Sequence, residues 1–329
     1  MTPQAHQPLD PSMRALHFDG TRATVQDVPR PEADAENALV RVSLAGVCNT
    51  DLELVKGYLG FRGVLGHEFV GTVAQGPAKL VGERVVGEIN FACGRCALCT
   101  AGLGRHCPAR DVMGILRADG AFAEFVRVPI ANLHPVPAGV PDEAAVFAEP
   151  LAAAFEILEQ VRVEPGSDCI VLGDGKLGLL AAQVLHAAGA EVLAVGRHPE
   201  KLAVLARRGI RTRLASDASL GPASLVVEAT GSALGFARAV AALRPRGTLV
   251  LKSTHAEQAR VDLAPLVIHE LHVIGSRCGP FPPALRALET NAIDVRSLIH
   301  ARVPLARADD ALRMAAEPGV LKVLIEVAP

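Results

Sequence analysis

Four cysteines lie close together in one short, glycine-containing segment. They are Cys93, Cys96, Cys99 and Cys107, with the spacing C-x2-C-x2-C-x7-C. Four thiolates in one loop meet the tetrahedral preference of zinc and leave no open position, so such a site stabilises local folding and performs no chemistry. A redox dithiol or an iron–sulfur cluster is the alternative, but the spacing matches neither common ferredoxin pattern. The segment therefore predicts a structural zinc site.

A second set of metal-binding residue types is scattered along the chain. It comprises Cys48 in the run C-N-T-D, the adjacent His67 and Glu68, and Glu149 directly before a proline. Taken alone, each has an ordinary structural explanation, since a lone histidine often packs in a core and a glutamate before proline often opens a helix. Catalytic zinc takes about three protein ligands and keeps one position open. Together these residues are candidates for such a site.

A glycine-rich turn follows an apolar strand. Gly173, Gly175 and Gly178 form G-x-G-x-x-G between a predicted strand at 169–172 and a predicted helix at 177–188. In this context the glycines permit a tight turn, close approach of a pyrophosphate and close helix packing, with the helix N-terminus facing the anion. A glycine-rich turn in a nucleotide-free α/β protein is the alternative. The predicted dinucleotide site also includes Lys176 and Leu177.

The next predicted strand ends in a basic sequence. About 20 residues after the glycine turn, enzymes that use NAD place an acidic residue that holds the ribose 2′-hydroxyl. Here that place is occupied by Gly196, Arg197 and His198. A guanidinium there can grip a 2′-phosphate, so we expect NADP(H) to be preferred, with NAD(H) possible. Alternatively, the two basic residues only cap the strand in solvent.

Two kinds of pattern must position these residues. The first part of the chain has short β-rich runs separated by glycine and proline turns, at 39–44, 69–73, 84–86 and 122–128. From about residue 150 to residue 276, apolar strands alternate with alanine-rich helices, which is typical of a parallel sheet. These segments are 169–172, 177–188, 192–195, 199–208, 225–228 and 248–251. A helical stretch at 309–316 and a last strand at 321–327 close the chain.

The bulk composition narrows the class of protein. The 329 residues suggest about two domains, and 33 basic against 35 acidic side chains make nucleic acid an unexpected partner. The most apolar stretch, 177–195, is interrupted by polar residues, so no membrane span is expected. The polar N-terminus lacks an apolar signal core, and metal-binding cysteines fit a reducing compartment, which predicts a cytoplasmic protein.

In their order along the chain, these pieces resemble the zinc-containing medium-chain alcohol dehydrogenases. The matching pieces are Cys48-x-Thr50-Asp51, Gly66-His67-Glu68, the four-cysteine segment, Glu149-Pro150-Leu151, the Gly173 turn, Glu228-Ala229-Thr230-Gly231 and the closing strand from Leu321. The resemblance implies an α/β fold with a mostly-β GroES-like catalytic domain and an inserted Rossmann domain with a doubly wound parallel sheet. The expected bounds are 13–149 plus 279–329 for the catalytic domain and 150–278 for the Rossmann domain, after a disordered lead at 1–12.

The resemblance also implies roles. Cys48 and His67 bind the catalytic zinc. Glu149 stands where simple alcohol dehydrogenases carry cysteine and where sorbitol- or glucose-dehydrogenase-like members carry glutamate, and Glu68 is an alternate ligand. Thr50 matches the hydroxyl that passes the substrate proton outward, and Glu53 replaces a histidine that many members use as the outer relay. Three further residues are assigned to the dinucleotide, namely Thr230, Gly231 and, near the pyrophosphate, Lys322.

The expected function is that of a zinc-dependent oxidoreductase. It would transfer a hydride between NADP(H) or NAD(H) and a small-molecule alcohol, aldehyde or ketone, with one catalytic and one structural zinc. An aldose or polyol dehydrogenase is the alternative substrate class, and a zinc-stabilised dinucleotide sensor is the non-enzymatic alternative. Similar proteins form dimers or tetramers, commonly through the Rossmann domain, so a homo-oligomer is expected.

Overall fold

The computed structural model describes residues 10–217, 220–253 and 261–327. The chain divides into two compact units. Unit 1 combines the chain up to Val136 with the segment from Ala301 onward, and unit 2 runs from Pro137 to His300. Most of the predicted lead at 1–12 lies outside the described residues, although Ser12 already opens a strand.

The first part of unit 1 is mainly β-structure. Its strands are β1 (Ser12–Phe18), β2 (Ala23–Pro29), β3 (Asn37–Gly46), β4 (Gly63–Val64), β5 (Phe69–Gln75), β6 (Arg84–Gly87), β7 (Asn90–Phe91), β8 (Asp111–Met113), β9 (Arg117–Ala118), β10 (Phe125–Pro129) and β11 (Leu133–Pro135). Its helices are α1 (Asn49–Val55) and α2 (Ala97–Thr100). The predicted strands at 39–44, 69–73 and 84–86 are present, whereas the strand predicted from residue 122 begins only at Phe125.

Unit 2 alternates helices and strands. In chain order they are α3 (Asp142–Ala145), α4 (Ala148–Gln160), β12 (Asp168–Leu172), α5 (Lys176–Ala187), β13 (Glu191–Gly196), α6 (Pro199–Ala206), β14 (Arg211–Leu214), β15 (Ala223–Glu228), α7 (Ala233–Ala241), β16 (Leu243–Leu251), α8 (Ala264–Ile268), β17 (His272–Gly275) and α9 (Phe281–Glu289). Every predicted strand and helix of this part is present, with ends shifted by a few residues. The exception is β16, which begins five residues before the predicted start at 248.

The chain then returns to unit 1. The remaining elements are β18 (Ile299–Pro304), α10 (Ala308–Ala315) and β19 (Lys322–Glu326). Strand β19 pairs antiparallel with β3, in the middle of a seven-stranded sheet with the path β11-β6-β5-β3-β19-β18 and with β10 also on β3. The final segment therefore supplies a buried strand to this sheet. Cys48 and His67 lie in loops at one edge of the same sheet.

The sheet of unit 2 has the order β14-β13-β12-β15-β16-β17, with all neighbouring strands parallel. This is the doubly wound 3-2-1-4-5-6 order, and its buried aliphatic strands fit a sheet covered by helices on both faces. Helix α9 packs on both α3 and α4 in this unit. The packing units thus end at residues 136 and 300, whereas the predicted domain bounds fall at 149 and 278.

Among the described residues, every helix is too short or too polar to span a membrane.

Candidate active site

Unit 1 brings three of the scattered metal-binding residues together. Cys48 follows β3 and lies at the N-terminus of α1, and His67 and Glu68 directly precede β5. Antiparallel pairing places Ala45 of β3 opposite Phe69 of β5, so the two strand ends converge. One ligand atom from each of Cys48, His67 and Glu68 lies within 4.8 Å of the other two.

Asp51 connects two members of this cluster. One of its carboxylate oxygens, Oδ2, accepts a hydrogen bond of 2.8 Å from the backbone N–H of Cys48. The other, Oδ1, lies 3.2 Å from Nδ1 of His67. Burial lowers the pKa of His67, but the charge of the neighbouring Asp51 outweighs it and raises that pKa well above its ordinary value. Because Nδ1 faces the Asp51 carboxylate, Nε2 is left as the atom of His67 that can bind a metal.

Glu68 is buried and has one oxygen bound and one without a partner. Its Oε2 forms an ion pair with Nζ of Lys322, which also donates a hydrogen bond of 3.2 Å to the carbonyl oxygen of Val47. Burial lowers the pKa of Lys322, and the charge of Glu68 outweighs it, so that this pKa is raised. Oε1 of Glu68 is buried and has no hydrogen-bond partner among the described residues. A thiol, an imidazole and this orphan oxygen are a donor set that suits zinc.

The described contacts give Lys322 a different position from the one expected. Its ammonium is buried within unit 1 against Glu68 and the Val47 carbonyl, rather than presented as a free charge for a pyrophosphate. A buried ammonium beside a buried carboxylate is held by that pairing. Lys322, which the resemblance assigned to the pyrophosphate, is thus the charge partner of the candidate ligand Glu68.

The two residues predicted for proton transfer lie on α1. Oγ1 of Thr50 is 3.7 Å from Sγ of Cys48, at the edge of the cluster. Glu53, three residues later, forms a salt bridge of 2.9 Å with Lys56 at the surface. Thr50 is therefore beside the candidate metal site, and Glu53 is on the solvent side of the same helix.

The four-cysteine segment forms the second cluster. Its four Sγ atoms lie within 4.8 Å of one another, and no two of them are joined by a disulfide. Backbone hydrogen bonds from residues 95 and 96 lower the pKa of Cys93 to about 6, whereas burial and the neighbouring thiols raise that of Cys99 to about 12. Four thiolates this close repel one another unless a cation lies between them, so the arrangement fits one tetrahedral zinc.

The glycine turn of unit 2 has the geometry of a dinucleotide site. A Cβ atom on Gly178 would lie 2.0 Å from the carbonyl oxygen of Gly173, whereas one on Gly175 would meet no described atom within 4 Å. Gly175 also immediately precedes α5, whose first residues are Lys176 and Leu177. Space above Gly175 at a helix N-terminus fits an approaching pyrophosphate. Thr230 and Gly231 follow the adjacent parallel strand β15 and therefore lie at the same edge of the sheet.

The structure changes one premise about the end of β13. The sequence places no carboxylate there, but Asp174, from inside the glycine turn, reaches it. Oδ2 of Asp174 accepts hydrogen bonds of 2.7 Å from the backbone N–H groups of both Arg197 and His198, and Nδ1 of His198 lies 2.9 Å away. A Cβ on Gly196 would come within 2.5 Å of this carboxylate. Burial raises the pKa of Asp174, and these hydrogen bonds outweigh it and lower that pKa.

Glu149 lies in unit 2, in the first turn of α4. Its role as a further zinc ligand stays a prediction. Two residues that the sequence reasoning did not assign, Asp51 and Asp174, are now seen to hold the others in place. The signal for Asp51 was present, because an acidic residue three positions after a helix N-cap is a capping pattern. Asp174 gave no comparable signal, since its partners lie 23 and 24 residues away.

Comparisons with known proteins agree with both units. Residues 34–138 match the alcohol dehydrogenase GroES-like domain, and residues 177–291 match the zinc-binding dehydrogenase domain. The chain is 30% identical over 315 residues to D-altritol 5-dehydrogenase of Agrobacterium fabrum, covering 89% of this chain and 93% of that protein. It is 27% identical over 325 residues to sorbitol dehydrogenase of Halalkalibacterium halodurans, covering 92% and 94%.

A solved structure shows the same fold. A protein designated a zinc-binding dehydrogenase from Sinorhizobium meliloti, solved with NADP bound, superposes with a TM-score of 0.88 at 29% identity. The alignment covers 96% of this chain and 99% of that one.

Proposed function

Because this chain belongs to the zinc-containing medium-chain dehydrogenases, which are zinc-dependent oxidoreductases that use a nicotinamide dinucleotide, we propose that it oxidises a polyol with NADP⁺ and catalyses the reverse reduction. The family confirms the expected fold, the enzyme class and the use of zinc and a nicotinamide cofactor. The observation that carries the proposal is the cluster of half-buried Cys48 with buried His67 and Glu68, which has an orphan carboxylate oxygen, in a chain that also has a dinucleotide turn.

The residues of the cluster and its neighbours have separate roles. Cys48, His67 and Glu68 would hold the catalytic zinc, which when bound polarises the oxygen of the substrate and makes its hydroxyl proton easier to remove. Asp51 keeps His67 in the tautomer that offers Nε2. Thr50, beside Cys48, accepts the substrate proton and passes it outward, and Glu53 on the same helix carries it to solvent. Glu149 stands where sorbitol-dehydrogenase-like members carry glutamate, and we propose it as a further ligand.

The proposed preference for NADP(H) depends on Arg197. Its side chain is exposed at the end of β13 and makes no ion pair with another described residue. Asp174 already accepts hydrogen bonds from two backbone N–H groups and lies against the imidazole of His198, so a 2′-phosphate would meet the guanidinium of Arg197. An acidic residue at position 196 has no room beside Asp174, so specificity is tested at position 197.

The test is the binding of NADPH and NADH, followed by the fluorescence of the nicotinamide. Arg197→Ala should weaken binding of NADPH about tenfold or more, the scale of a lost charge-assisted contact, and leave NADH almost unchanged. Arg207→Ala, which removes an exposed arginine just after α6, is the matched control. Tighter binding of NADH by the wild type, or an equal loss for both dinucleotides, would contradict the preference.

A polyol substrate is supported by the relatives and by the ligand pattern. The two relatives above are named for sorbitol and D-altritol, and this chain has a glutamate at 149, as sorbitol-dehydrogenase-like members do. The experiment compares kcat/KM for sorbitol, altritol and xylitol with that for 1-butanol and 2-butanol. We expect at least one polyol to exceed every simple alcohol. The polyol proposal fails if a simple alcohol is the best substrate, while the enzyme class would stand.

We propose that the protein is a homo-oligomer assembled through unit 2. Strand β17 is the last strand of its sheet, and no described strand pairs with its outer edge. Next to it along the chain, Val267 and Ile268 of α8 are 77% and 72% exposed. An open strand edge beside exposed aliphatic side chains is a surface that soluble proteins normally cover. A second copy related by a two-fold axis would pair the same edge with itself and extend the sheet.

A further inference from the structure

A buried lysine directly after β16 takes no part in the chemistry of the candidate zinc cluster or of the glycine turn. Nζ of Lys252 donates to the carbonyl oxygen of Ala153 at 2.6 Å, to Oγ of Ser276 at 3.1 Å and to the carbonyl oxygen of Arg277 at 3.0 Å. An ammonium group has three donors, so these acceptors occupy all of them. Burial lowers the pKa of Lys252 to about 8, against the opposing influence of Cys278, Glu149 and Glu156.

These hydrogen bonds tie the end of β17 to helix α4. The end of β17 and the residues that follow it meet α4 at two further points. Nε2 of Gln160 donates a hydrogen bond of 3.1 Å to the carbonyl oxygen of Gly275. A Cβ atom on Gly279 would lie 1.8 Å from the carbonyl oxygen of Ala152. Residues 275–279 therefore lie directly against the backbone of α4. Lys252 contributes the one charged group in these hydrogen bonds between the described residues, and a buried charge is a costly way to join two elements for stability alone.

The position of this junction in the sheet connects it with the cofactor. In a sheet of order 3-2-1-4-5-6, each half binds one mononucleotide beyond the carboxyl ends of its strands. The adenine half lies at β12, β13 and β14, where the glycine turn and Arg197 are. Strands β15, β16 and β17 form the other half, and Lys252, Ser276 and Arg277 directly follow the last two of these strands.

We propose that Lys252 is a positioning residue for the nicotinamide half of the dinucleotide. Its ammonium does not contact the cofactor, since its donors are occupied. It fixes residues 276–279 against α4, and because a trans peptide is planar, holding the carbonyl of Arg277 also fixes the direction of the following N–H. The nicotinamide would then meet a backbone surface of fixed shape. The inference rests on the proposed use of a nicotinamide dinucleotide.

The test separates the two ends of the cofactor. Dissociation constants are measured by calorimetry for NADPH and its adenine-end fragment adenosine 2′,5′-bisphosphate, and for NADH and its fragment ADP. In Lys252→Met, we expect about tenfold weaker binding of the dinucleotide and less than about a twofold change for its fragment. An unchanged affinity for the fragment shows that unit 2 of the variant is folded. Gln183→Met is the matched control, because it removes a buried amide that joins α5 to residue 294 by two hydrogen bonds.

The outcomes are distinct. A selective loss for either dinucleotide in Lys252→Met, absent from Gln183→Met, supports the positioning role. An equal loss for dinucleotide and fragment, or no loss, overturns it. If Lys252→Met does not fold, Ser276→Ala decides, since it removes one acceptor and keeps the lysine; dinucleotide binding equal to that of the wild type would then overturn the proposal. A wild-type protein that binds only NADH and ADP would refute the NADP(H) preference, while the NADH comparison would still decide the role of Lys252.

Discussion

At the scale of single residues, the candidate catalytic site depends on Asp51. This buried carboxylate binds the backbone of one predicted ligand, Cys48, and the imidazole of another, His67. Removing its charge while keeping its shape should leave the fold intact and loosen the orientation of His67. Asp51→Asn should therefore weaken zinc binding by about 10- to 100-fold, as is usual for a partner of a metal-binding histidine.

The measurement is competition for zinc with a chelator of known affinity. Asp34→Asn is the control, because Asp34 is an exposed carboxylate of the same unit whose ion-pair partner is Arg127. Equal zinc affinity in Asp51→Asn and Asp34→Asn would show that Asp51 does not position the ligand.

The same residue pair predicts how zinc binding depends on pH. Without metal, Asp51 raises the pKa of His67 well above its ordinary value of 6.5, which favours the protonated imidazole. The pair then stabilises the metal-free fold fully below pH 6.5, and that contribution is lost as the pH rises through the raised pKa. A metal ligand must be unprotonated, so zinc displaces this proton and its affinity falls as the pH falls.

Proton release on adding zinc to the stripped protein, followed with an indicator dye in weak buffer, checks this prediction. His67→Asn provides the reference, because it keeps the four-cysteine segment and lacks the imidazole. The prediction requires more protons to be released by the wild type than by His67→Asn. Equal release would mean that His67 is not protonated before zinc binds.

Residue types in the sequence predicted the members of both clusters of candidate metal ligands, because zinc requires a small set of donors at short spacing or at turns. The further ligand Glu149 stays a prediction. They did not identify the partners that hold those donors. Lys322 lies 254 residues from Glu68 and Asp174 lies 24 residues from His198, and such pairings arise only when the strands carrying them are registered. The family resemblance therefore placed Lys322 near the pyrophosphate, and the residue pattern left the end of β13 without its carboxylate.

At the scale of elements, the turn between β12 and α5 yields a paired prediction. A methyl group on Gly178 would collide with the carbonyl of Gly173, whereas one on Gly175 would point into open space. Gly178→Ala should thus lower the free energy of unfolding by about 1–3 kcal/mol. Gly175→Ala should change it by less than about 0.5 kcal/mol.

For dinucleotide binding, the expected order of the two variants is the reverse of that for stability, because we expect the space above Gly175 to receive the pyrophosphate. Gly175→Ala should weaken NADPH binding about tenfold or more despite its normal stability. Denaturant unfolding and fluorescence titration of the two variants measure the two effects separately. A Gly175→Ala protein that binds NADPH like the wild type would place the pyrophosphate elsewhere.

The helices and strands were largely predictable from the sequence, since the periodicity of apolar residues and the residue types of turns are local properties. Strand β12, helix α5 and strand β13 follow directly from an apolar run, a glycine turn and an alanine-rich stretch. The ends of the packing units were less accessible to sequence. Helix α9 and the segment to residue 300 stay with unit 2 because α9 packs on α3 and α4, a long-range contact that no local pattern encodes.

At the scale of the whole molecule, the exposed surface of α8 and β17 predicts the state of assembly. Replacing Val267 and Ile268 together by aspartate places charge on the surface proposed to bind a second copy. Light scattering after size exclusion should show a smaller particle than the wild type. Val81→Asp, at an exposed apolar residue of unit 1, is the control and should not change the particle. A wild type that is already monomeric would refute the proposed oligomer.

The central claim is that this dehydrogenase has two zinc sites with separate duties, and zinc content per chain tests it most directly. Elemental analysis should find one zinc for each of the two cysteine-containing clusters. Cys48→Ser should lose one zinc and its activity while unfolding at the wild-type temperature, whereas Cys96→Ser should lose the other zinc and unfold at a lower temperature. A wild-type protein with a single zinc, or a Cys48→Ser protein that keeps both zincs and its activity, would contradict the catalytic site built on Cys48, His67 and Glu68.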